Sequence, residues 1–189
     1  MADVSPPLPE VIVTLRLDLV LVSVAQLFAR AASDGPIPLG YADPHDVLDP
    51  DNSPLRRRVA QVRQDRAANP WLIRIAVLRE RGSIIGLGNF HGPPDERGMV
   101  EIGYRVHHDH QGLGFAREIA TGMWACVAKR PDVRWLRATV TPDNSASIAI
   151  IEGAGFTQIG EQHDPEDGLE LVYEIGAQDY RCAHAKISE

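Results

Sequence analysis

The chain begins with a run of alternating apolar and polar residues. Within residues 11–21 every odd position is apolar, and polar residues stand at several even positions. This alternation is typical of a strand with one buried face. Ser23 and Gln26 follow with the spacing of a capping box, which predicts a helix that starts at Ser23 and ends at Gly35.

The next segment predicts a loop and then a basic helix. Residues 35–51 are rich in proline, glycine and aspartate and show no period, which predicts a long loop. Ser53 and Pro54 have the order of an N-cap and a first-turn proline, so we expect a helix there that ends before Pro70. We expect its arginines to form a solvated face rather than a specific anion site. They are Arg56, Arg57, Arg58, Arg63 and Arg66.

The second half of the chain predicts strands and helices in succession. Three strands at residues 71–78, 83–90 and 99–106 have short connections, which indicate an antiparallel meander. Apolar residues then recur at helical spacing from Leu113 to Val127. The remaining elements are a strand at 135–140, a helix at 145–154, a strand from Phe156 and a last strand at 169–175. The pattern predicts an α+β (mixed α/β) fold whose mixed, mostly antiparallel twisted sheet is flanked by helices.

The length of the chain favours a single domain. Its 189 residues exceed the modal domain size but fall short of two independent cores. We assign residues 11–176 to that domain. A flexible, proline-bearing lead at 1–10 precedes it, and a tail at 177–189 follows it.

Charge and cysteine content argue against several classes of protein. With 26 acidic and 19 basic residues the net charge is -7, which does not suit a protein that binds free nucleic acid. Cys126 and Cys182 form no paired motif, so we expect a reducing cytoplasm rather than a disulfide framework. The apolar stretch at 11–27 contains charged residues and lacks a basic lead, so it predicts neither a signal peptide nor a membrane span.

A glycine-containing turn between a predicted strand and a predicted helix is the main chemical signal. Glycines let backbone amides approach a ligand closely, and the free amides and dipole of a helix N-terminus attract an anion such as pyrophosphate. A tight turn also needs glycine for structural reasons, so the turn alone leaves both interpretations open. Its residues are Gln111, Gly112, Leu113, Gly114, Phe115 and Ala116.

Two other nucleotide motifs do not fit this turn. A Walker loop requires lysine and then serine or threonine after its glycines, and neither follows here. A dinucleotide fingerprint requires a third glycine where Arg117 stands, and the meander replaces its parallel unit. A Walker-type nucleotide site and a site for NAD or FAD are therefore not expected.

In its full context the turn resembles the pyrophosphate motif Q/R-x-x-G-x-G/A of the GNAT superfamily of acyl-CoA-dependent N-acetyltransferases. Gln111, Gly114 and Ala116 match that motif. The resemblance covers roughly residues 15–175 and includes the segments Asn-Ser-Ala-Ser at 144–147 and Gly-Ala-Gly-Phe at 153–156. Together with Glu-Ile-Gly-Tyr at 101–104, these segments look like the branch that includes the ribosomal-protein alanine acetyltransferases.

The resemblance implies a GNAT-like sheet that splays between its fourth and fifth strands and binds acetyl-CoA. In the family the turn holds the pyrophosphate, and backbone at the end of the fourth strand bonds the pantetheine. Here that backbone is Arg105, Val106 and His107. An amide near Val106 would face the thioester carbonyl and stabilise the oxyanion. The implied reaction is direct attack by a bound primary amine in a ternary complex, where proximity is a large part of catalysis.

Glu101 is our first candidate for the general base, because attack requires a neutral amine. Strand alternation puts Glu101 and Arg105 on the face opposite Val100 and Val106, and the resemblance directs the Glu101 face toward the acceptor. The structural alternative is a pair between Glu101 and Arg105, which would lower the carboxyl pKa. Three substitutes for this base are Glu161, Glu166 and His91.

At the leaving thiolate the chain departs from the family. Ile151 stands where many relatives have a tyrosine, so no tyrosine acid is available there. Ser147 is our candidate to hydrogen-bond the sulfur, and a satisfied hydroxyl at the start of a helix is its structural alternative. Asn144 is a CoA contact, a helix cap, or both on different atoms.

A histidine-rich loop at residues 107–110 invites a metal hypothesis that we do not favour. Adjacent side chains in a loop point in different directions, and no second ligand cluster completes a site. We therefore expect acetyl-CoA as the cosubstrate and no metal. Cys126 lacks an activating partner in the sequence and is expected to be a packing residue.

The acceptor and the activity itself remain open at this point. The acceptor is either a small-molecule amine or a protein N-terminus, and its choice depends on residues 35–52 and the helix after them. A noncatalytic acyl-CoA sensor or interaction module would keep the fold and the ligand, and an acyltransferase for a longer acyl chain would keep the chemistry. We expect no membrane partner, and a homodimer is left open.

Overall fold

The computed structural model describes residues 6–165 and 168–185. Its centre is an eight-stranded sheet in the order β1-β2-β3-β4-β5-β6-β8-β7, antiparallel except for β5 and β6. The strands are β1 (Val11–Val13), β2 (Leu17–Leu21), β3 (Ile73–Leu78), β4 (Ser83–Phe90), β5 (Met99–Val106), β6 (Trp135–Val140), β7 (Thr157–Asp164) and β8 (Gly168–Gly176). The helices are α1 (Val24–Ala31), α2 (Leu55–Gln64), α3 (Phe115–Ala128), α4 (Ser145–Gly153) and α5 (Ala177–His184), with 3-10 segments at Arg66–Trp71 and His108–His110.

The first predicted strand is wrong in one respect, because a turn at residues 14–16 divides it in two. β1 and β2 pair antiparallel across this turn. The Thr14 amide and hydroxyl both donate to the carbonyl of Leu17, which closes the turn locally. The later strands follow the predicted pattern closely, and the family's fourth and fifth strands are β5 and β6 in this numbering.

The N-cap predicted for α1 is confirmed, whereas the N-cap predicted for α2 is wrong by one residue, because Pro54 rather than Ser53 occupies that position. The Ser23 hydroxyl accepts from the Gln26 amide, and the Gln26 side chain accepts from the Ser23 amide, so the capping box is complete. α1 is shorter than predicted and ends at Ala31. α2 starts after Pro54 and ends at Gln64, and a 3-10 segment that contains Pro70 follows it.

Helices cover both faces of the sheet and produce two apolar cores. α3 packs Ile119, Met123 and Val127 against one face. α1 and α2 pack Leu27 and Val62 against the other face, together with buried residues of the 35–51 loop. Burial of such a side chain contributes about 1.5–3 kcal/mol. The loop is therefore held in place although it lacks helix and strand, apart from one isolated bridge.

β5 and β6 separate along their length, as the resemblance implied. They pair only over residues 99–101 and 135–137. Beyond that point β5 remains paired with β4, and β6 remains paired with β8. The separation opens a cleft between the two strands.

The described ends of the chain pack more closely than predicted. Leu8, in the expected lead, is buried in the same core as Ile12. The expected tail contains α5, whose Ala177 and Tyr180 are buried against the rest of the domain. Residues 1–5 of the lead and 186–189 of the tail lie outside the described residues.

Within the described residues, none of the helices has both the length and the apolar character that crossing a bilayer requires.

Candidate functional site

The turn at residues 111–116 places the N-terminus of α3 near the end of β5. Gly112 and Gly114 have φ angles of 73° and 81°, left-handed values that favour glycine. No side chain caps α3 at Gly114, so the first-turn amides lack a capping acceptor. A Cβ at Gly112 would meet nothing within 4 Å, which shows open space at the turn. This is the geometry of an anion site at a helix N-terminus.

Arg16 lies beside this turn, and sequence reasoning did not find it. Its guanidinium lies 4.1 Å from the Phe115 ring centroid and donates to the Leu113 carbonyl over 3.0 Å. It also pairs with Glu118 at 2.7 Å. Burial raises the pKa of Glu118, but hydrogen bonds from Thr14 and Arg16 outweigh that effect and lower it. Only the fold brings Arg16 to a turn 97 residues away.

The end of β5 presents backbone groups to the cleft. The His107 amide donates to the Ile85 carbonyl at 2.8 Å, so odd-numbered residues at this end of β5 bond β4. Strand alternation then directs the backbone groups of Val106 toward the cleft. Gln111 Nε2 donates to the Val106 carbonyl over 3.0 Å and ties the turn to the strand.

A cavity of about 420 Å³ occupies the space between β5 and β6. The Asn144 side chain accepts from the Ser147 amide at 3.1 Å, so Asn144 is the cap of α4. Ser147 is half-buried at the cavity wall. The main polar residues of the wall are Tyr104, Thr139, Asn144, Ser147 and Glu170.

Tyr104 is a second residue that sequence reasoning missed. Its hydroxyl is buried and has no hydrogen-bond partner among the described residues. Burial raises the pKa of Tyr104, and the nearby Ser147 hydroxyl offsets part of that shift without reaching hydrogen-bond geometry. Ile151, at the place where relatives have a tyrosine, is buried. The fold thus brings a tyrosine to this cavity from β5 instead of α4.

Glu101 lies in a different pair from the one considered in the sequence. Its carboxylate accepts from the Thr139 hydroxyl at 2.7 Å and lies 3.3 Å from His91 Nδ1. Burial raises the pKa of Glu101, but the hydrogen bonds and charge of His91 and the bond from Thr139 lower it below its ordinary value. Glu101 has no ion pair with Arg105 among the described residues. The partner of the carboxylate is therefore His91.

His91 extends this pair toward solvent. Its side chain is 34% exposed, whereas that of Glu101 is 14% exposed. A Cβ at Gly103 would lie 3.2 Å from His91 Nε2, so glycine at this position makes room for the ring. With Nδ1 facing the carboxylate, Nε2 is the ring atom left for a substrate.

The other acidic candidates differ in position. Glu161 is exposed on β7 and does not line the cleft cavity. Glu166 lies outside the described residues. Glu170, which sequence reasoning did not select, is buried at the cavity wall and accepts from Gln162 Nε2 at 2.9 Å.

The largest of the three cavities, about 640 Å³, lies beside β4, β5 and the start of α2. We call it the arginine groove, after the residues Arg56, Arg57, Arg58 and Arg105 in its wall. The prediction of a solvated arginine face is wrong for Arg58, which is 3% exposed. A third cavity of about 310 Å³ shares Arg105 with the groove and reaches Gln111 of the turn.

The fold adds His45 to the histidine-rich loop. His45, His107 and Asp109 have ligand atoms within 4.8 Å of one another, so the sequence argument about adjacent side chains missed a metal-capable group. The His45 and His107 rings are stacked, with centroids 3.5 Å apart and planes at 13°. Ring-nitrogen lone pairs lie in the ring planes, so the rings must rotate before both could bind one ion.

Cys126 lies half-buried on α3. Burial raises the pKa of its thiol, although Arg74 acts in the opposite direction. A raised pKa disfavours the thiolate, so these surroundings do not suit a nucleophile.

Comparisons with known proteins agree with this fold. A family model described as Acetyltransferase (GNAT) domain matches residues 28–157. YjdG, an uncharacterized N-acetyltransferase from Bacillus subtilis (strain 168), is 33% identical over 86 residues, which cover 46% of this chain and 49% of YjdG. The chain thus spans about half the length of the curated relatives that it matches.

Solved structures share the architecture at low sequence identity. RimL, a ribosomal alpha-N-protein acetyltransferase in complex with coenzyme A, has a TM-score of 0.59 at 18% identity and covers 88% of this chain and 98% of its own. A chimera of Vibrio cholerae spermidine N-acetyltransferase SpeG and hSSAT has a TM-score of 0.60 at 16% identity, with coverage of 88% and 98%. These likenesses concern the fold.

The match of the family model extends over most of the chain and includes the splayed strands, the glycine turn and the start of α4. The resemblance suggested by the motifs is thereby confirmed. The chain belongs to the GNAT acetyltransferase domain family.

Proposed function

We propose that this protein is an N-acetyltransferase that transfers the acetyl group of acetyl-CoA to a primary amine. The observation that carries the proposal is the order of features along β5. The Glu101–His91 pair lies near its start, where the pairing with β6 ends, and cleft-facing backbone lies at its end. The open N-terminus of α3 follows after the 3-10 segment and the turn. An acyl donor anchored at the turn would reach the pair through the cleft.

The proposed acetyl-CoA site starts at the turn and continues into the cleft. First-turn amides and the dipole of α3 attract the pyrophosphate. Arg16 adds a cation at the same place. Backbone groups at the end of β5 bond the pantetheine. The residues of this site are Arg105, Val106, His107, Gln111, Gly112, Leu113, Gly114, Phe115, Ala116, Asn144 and Ser147.

The amine would be deprotonated by Glu101 acting with His91. Glu101 holds the imidazole through Nδ1, and Nε2 accepts the ammonium proton directly or through one water. The nitrogen lone pair then attacks the thioester carbonyl carbon. A cleft-facing amide at Val106 stabilises the oxyanion until the carbon–sulfur bond breaks and the thiolate leaves.

As the amide forms, the attacking nitrogen loses its second proton, and the thiolate would receive a proton in exchange through the hydroxyls of the cleft cavity. Ser147 lies at the wall of that cavity, and Tyr104 holds an unpartnered hydroxyl beside it. These two hydroxyls argue against the alternative of a noncatalytic acyl-CoA sensor, which rested on the absence of a tyrosine at position 151. The cavity walls do not select an acyl chain of a particular length. The acetyl group is assigned because the family consists of acetyltransferases.

An acceptor panel with acetyl-CoA tests the proposed function. Free CoA and product mass are measured together for small-molecule amines and for short peptides with free N-termini. Acceptor-dependent CoA release with a matching product mass supports the proposal. Release that is independent of acceptor would show hydrolysis only, and acetyl-CoA binding without release would favour the sensor.

A further inference from the structure

The arginine groove is unusual for this chain because of its charge. Its wall contains four arginines and a single carboxylate, that of Asp51. The groove thus has a formal excess of three positive charges in a chain whose net charge is -7. A cavity of about 640 Å³ with one sign of charge concentrates the field and attracts ligands of the opposite sign.

Two of the arginines are partly compensated within the chain. Arg56 pairs with Asp51 at 2.7 Å, but both side chains are more than 70% exposed, and such surface pairs contribute little. Arg57 lies 3.8 Å from Asp164. These contacts reduce the positive charge at the outer rim of the groove.

Arg58 is the deeper cation, and the negative charge of Glu101 acts on it without forming an ion pair. It is 3% exposed and forms no ion pair with a carboxylate within the described residues. Its Nη1 donates to the Gln61 side chain at 2.8 Å and to the His91 carbonyl at 3.3 Å, and its buried Nε has no acceptor. Burial, and then repulsion from Arg57, lower its pKa to about 10. A buried guanidinium in this state is stabilised by an anionic ligand.

Arg74 is a buried arginine with a structural role in the same fold, and it shares with Arg58 an Nε without an acceptor among the described residues and a pKa lowered to about 10. Its guanidinium donates to the backbone carbonyls of Glu10, Leu19 and Pro70 and lines none of the three cavities. Arg58 has fewer acceptors and borders open space. The contrast favours a ligand-binding role for Arg58.

Arg105 supplies a second cation next to the proposed reaction centre. It is exposed on β5, two residues after Gly103, over which His91 Nε2 lies. Asp49 is the opposite charge that acts on it, and no ion pair joins the two in the described residues. Arg58 also contacts the His91 backbone. Arg58, Arg105 and His91 therefore line the same groove.

We propose that the acceptor is an anionic amine, one whose amino group is joined to a carboxylate-bearing part held by Arg58 and Arg105. This inference rests on the proposed N-acetyltransferase function and names its substrate class. Guanidinium–carboxylate hydrogen bonds would fix the acceptor and leave the amine near His91 Nε2. A polyamine acceptor such as spermidine would meet like charges in the groove and be disfavoured.

Two matched acceptor pairs test this class and its source. β-Alanine is compared with β-alaninamide, and the amidated peptide Ser-Asp-Glu is compared with Ser-Asn-Gln. We expect the carboxylate-bearing member of at least one pair to have a kcat/KM about tenfold higher or more, a difference of about 1.4 kcal/mol, because the neutral amide leaves the guanidinium groups without an opposite charge. A preference for the carboxylate within the first pair identifies a small-molecule acceptor. A preference within the second pair identifies an acidic protein N-terminus.

Variants assign the preference to the groove. Arg105→Gln, at an exposed position, should reduce the ratio between charged and uncharged acceptors through KM, whereas Arg63→Gln, an exposed change outside the groove, should leave that ratio unchanged. Arg58→Lys keeps the positive charge but loses the planar guanidinium that can bind a carboxylate through two hydrogen bonds. It should therefore partly weaken the preference for carboxylate-bearing acceptors. Equal kcat/KM within both pairs, or preference for spermidine, overturns the inference while acetyl transfer itself stands.

Binding provides a readout that does not need turnover. Calorimetry with the same four acceptors in the presence of CoA measures their affinities directly. Tighter binding of a carboxylate-bearing member supports the anionic-amine site even if no acetyl transfer is detected, in which case the proposed function has failed separately. Equal or absent binding of all four contradicts the inference.

Discussion

The turn at residues 111–116 and the arginine groove both suit negative charge, but they differ in the groups that they offer to an anion. The turn offers backbone amides and the dipole of α3, which remain when a side chain is removed. The groove offers the guanidinium groups of Arg58 and Arg105. Recognition at the turn therefore depends on shape, and recognition in the groove depends on side-chain charge. Substitutions at the turn should therefore weaken binding of the acyl donor. Substitutions of the Glu101–His91 pair should lower turnover, and substitutions of the groove arginines should change the choice of acceptor.

The largest effect is expected at Glu101. Glu101→Gln removes the carboxylate that holds His91, so kcat should fall by about 10²-fold or more while acetyl-CoA affinity stays near wild type. The lowered pKa of Glu101 keeps it ionised above the ordinary value of 4.5, so its own titration should not appear near neutral pH. Turnover should recover partly as pH rises and more amine becomes neutral.

A pH–rate profile of the folded variant checks this prediction, with acetyl-CoA affinity from calorimetry. Glu161→Gln, an exposed change on β7, is the matched control. Wild-type rates of Glu101→Gln across the acidic limb would sink the assignment and redirect it to Glu166 or to His91 acting without a carboxylate.

Gly114→Val should produce the largest loss of donor binding. Gly114 has φ of 81°, which a β-branched residue adopts only with strain, and the new side chain would occupy space at the open amides. We expect CoA affinity to fall at least about tenfold, more than for Gln111→Ala, which removes a single bond to Val106.

Isothermal titration of folded variants measures this difference. Gly160→Ala, where a Cβ meets nothing within 4 Å, controls for the loss of a glycine as such. Thermal shifts should appear with CoA and acetyl-CoA but not with NAD or ATP. Unchanged affinity in Gly114→Val would count against the turn as the pyrophosphate site.

A smaller effect is expected from the two hydroxyls of the cleft. Ser147→Ala and Tyr104→Phe should each lower kcat by about tenfold or less with little change in CoA affinity, if their hydroxyls act on the leaving thiolate. The double variant shows whether they act together, because residues that serve one step are not additive. A loss confined to CoA affinity would reject the role.

The smallest effect concerns stability at the turn. Glu118→Gln removes the negative charge and replaces one of the two acceptor oxygens that face Arg16 and Thr14 with an NH2 donor, so it should lower the free energy of unfolding by about 1 kcal/mol near neutral pH. The pKa of Glu118 is lowered in the fold, so its contribution is present above the ordinary value of 4.5 and is lost as pH falls through the lowered one. Urea unfolding at several pH values measures the difference in unfolding free energy between the wild type and Glu118→Gln. A difference that stays constant into strong acid would refute the assignment.

Sequence patterns were informative where structure is local. The capping box at Ser23 and the bounds of β4, β5 and β6 depend on residues within a few positions of one another. The turn at residues 111–116 is likewise local, because six consecutive residues form it. Periodicity did not detect the break at Thr14, since the apolar alternation continues through the turn.

By itself, the sequence determined the family, the order of elements and the place of the helix N-terminus, because each is encoded by neighbours along the chain. The tertiary structure alone decided that Glu101 pairs with His91, that Tyr104 enters the cleft, and that Arg16 joins the turn. It also decided which of five similar arginines is buried. Helix spacing gives a residue's face, but burial and charge pairing depend on distant segments that fold against that face.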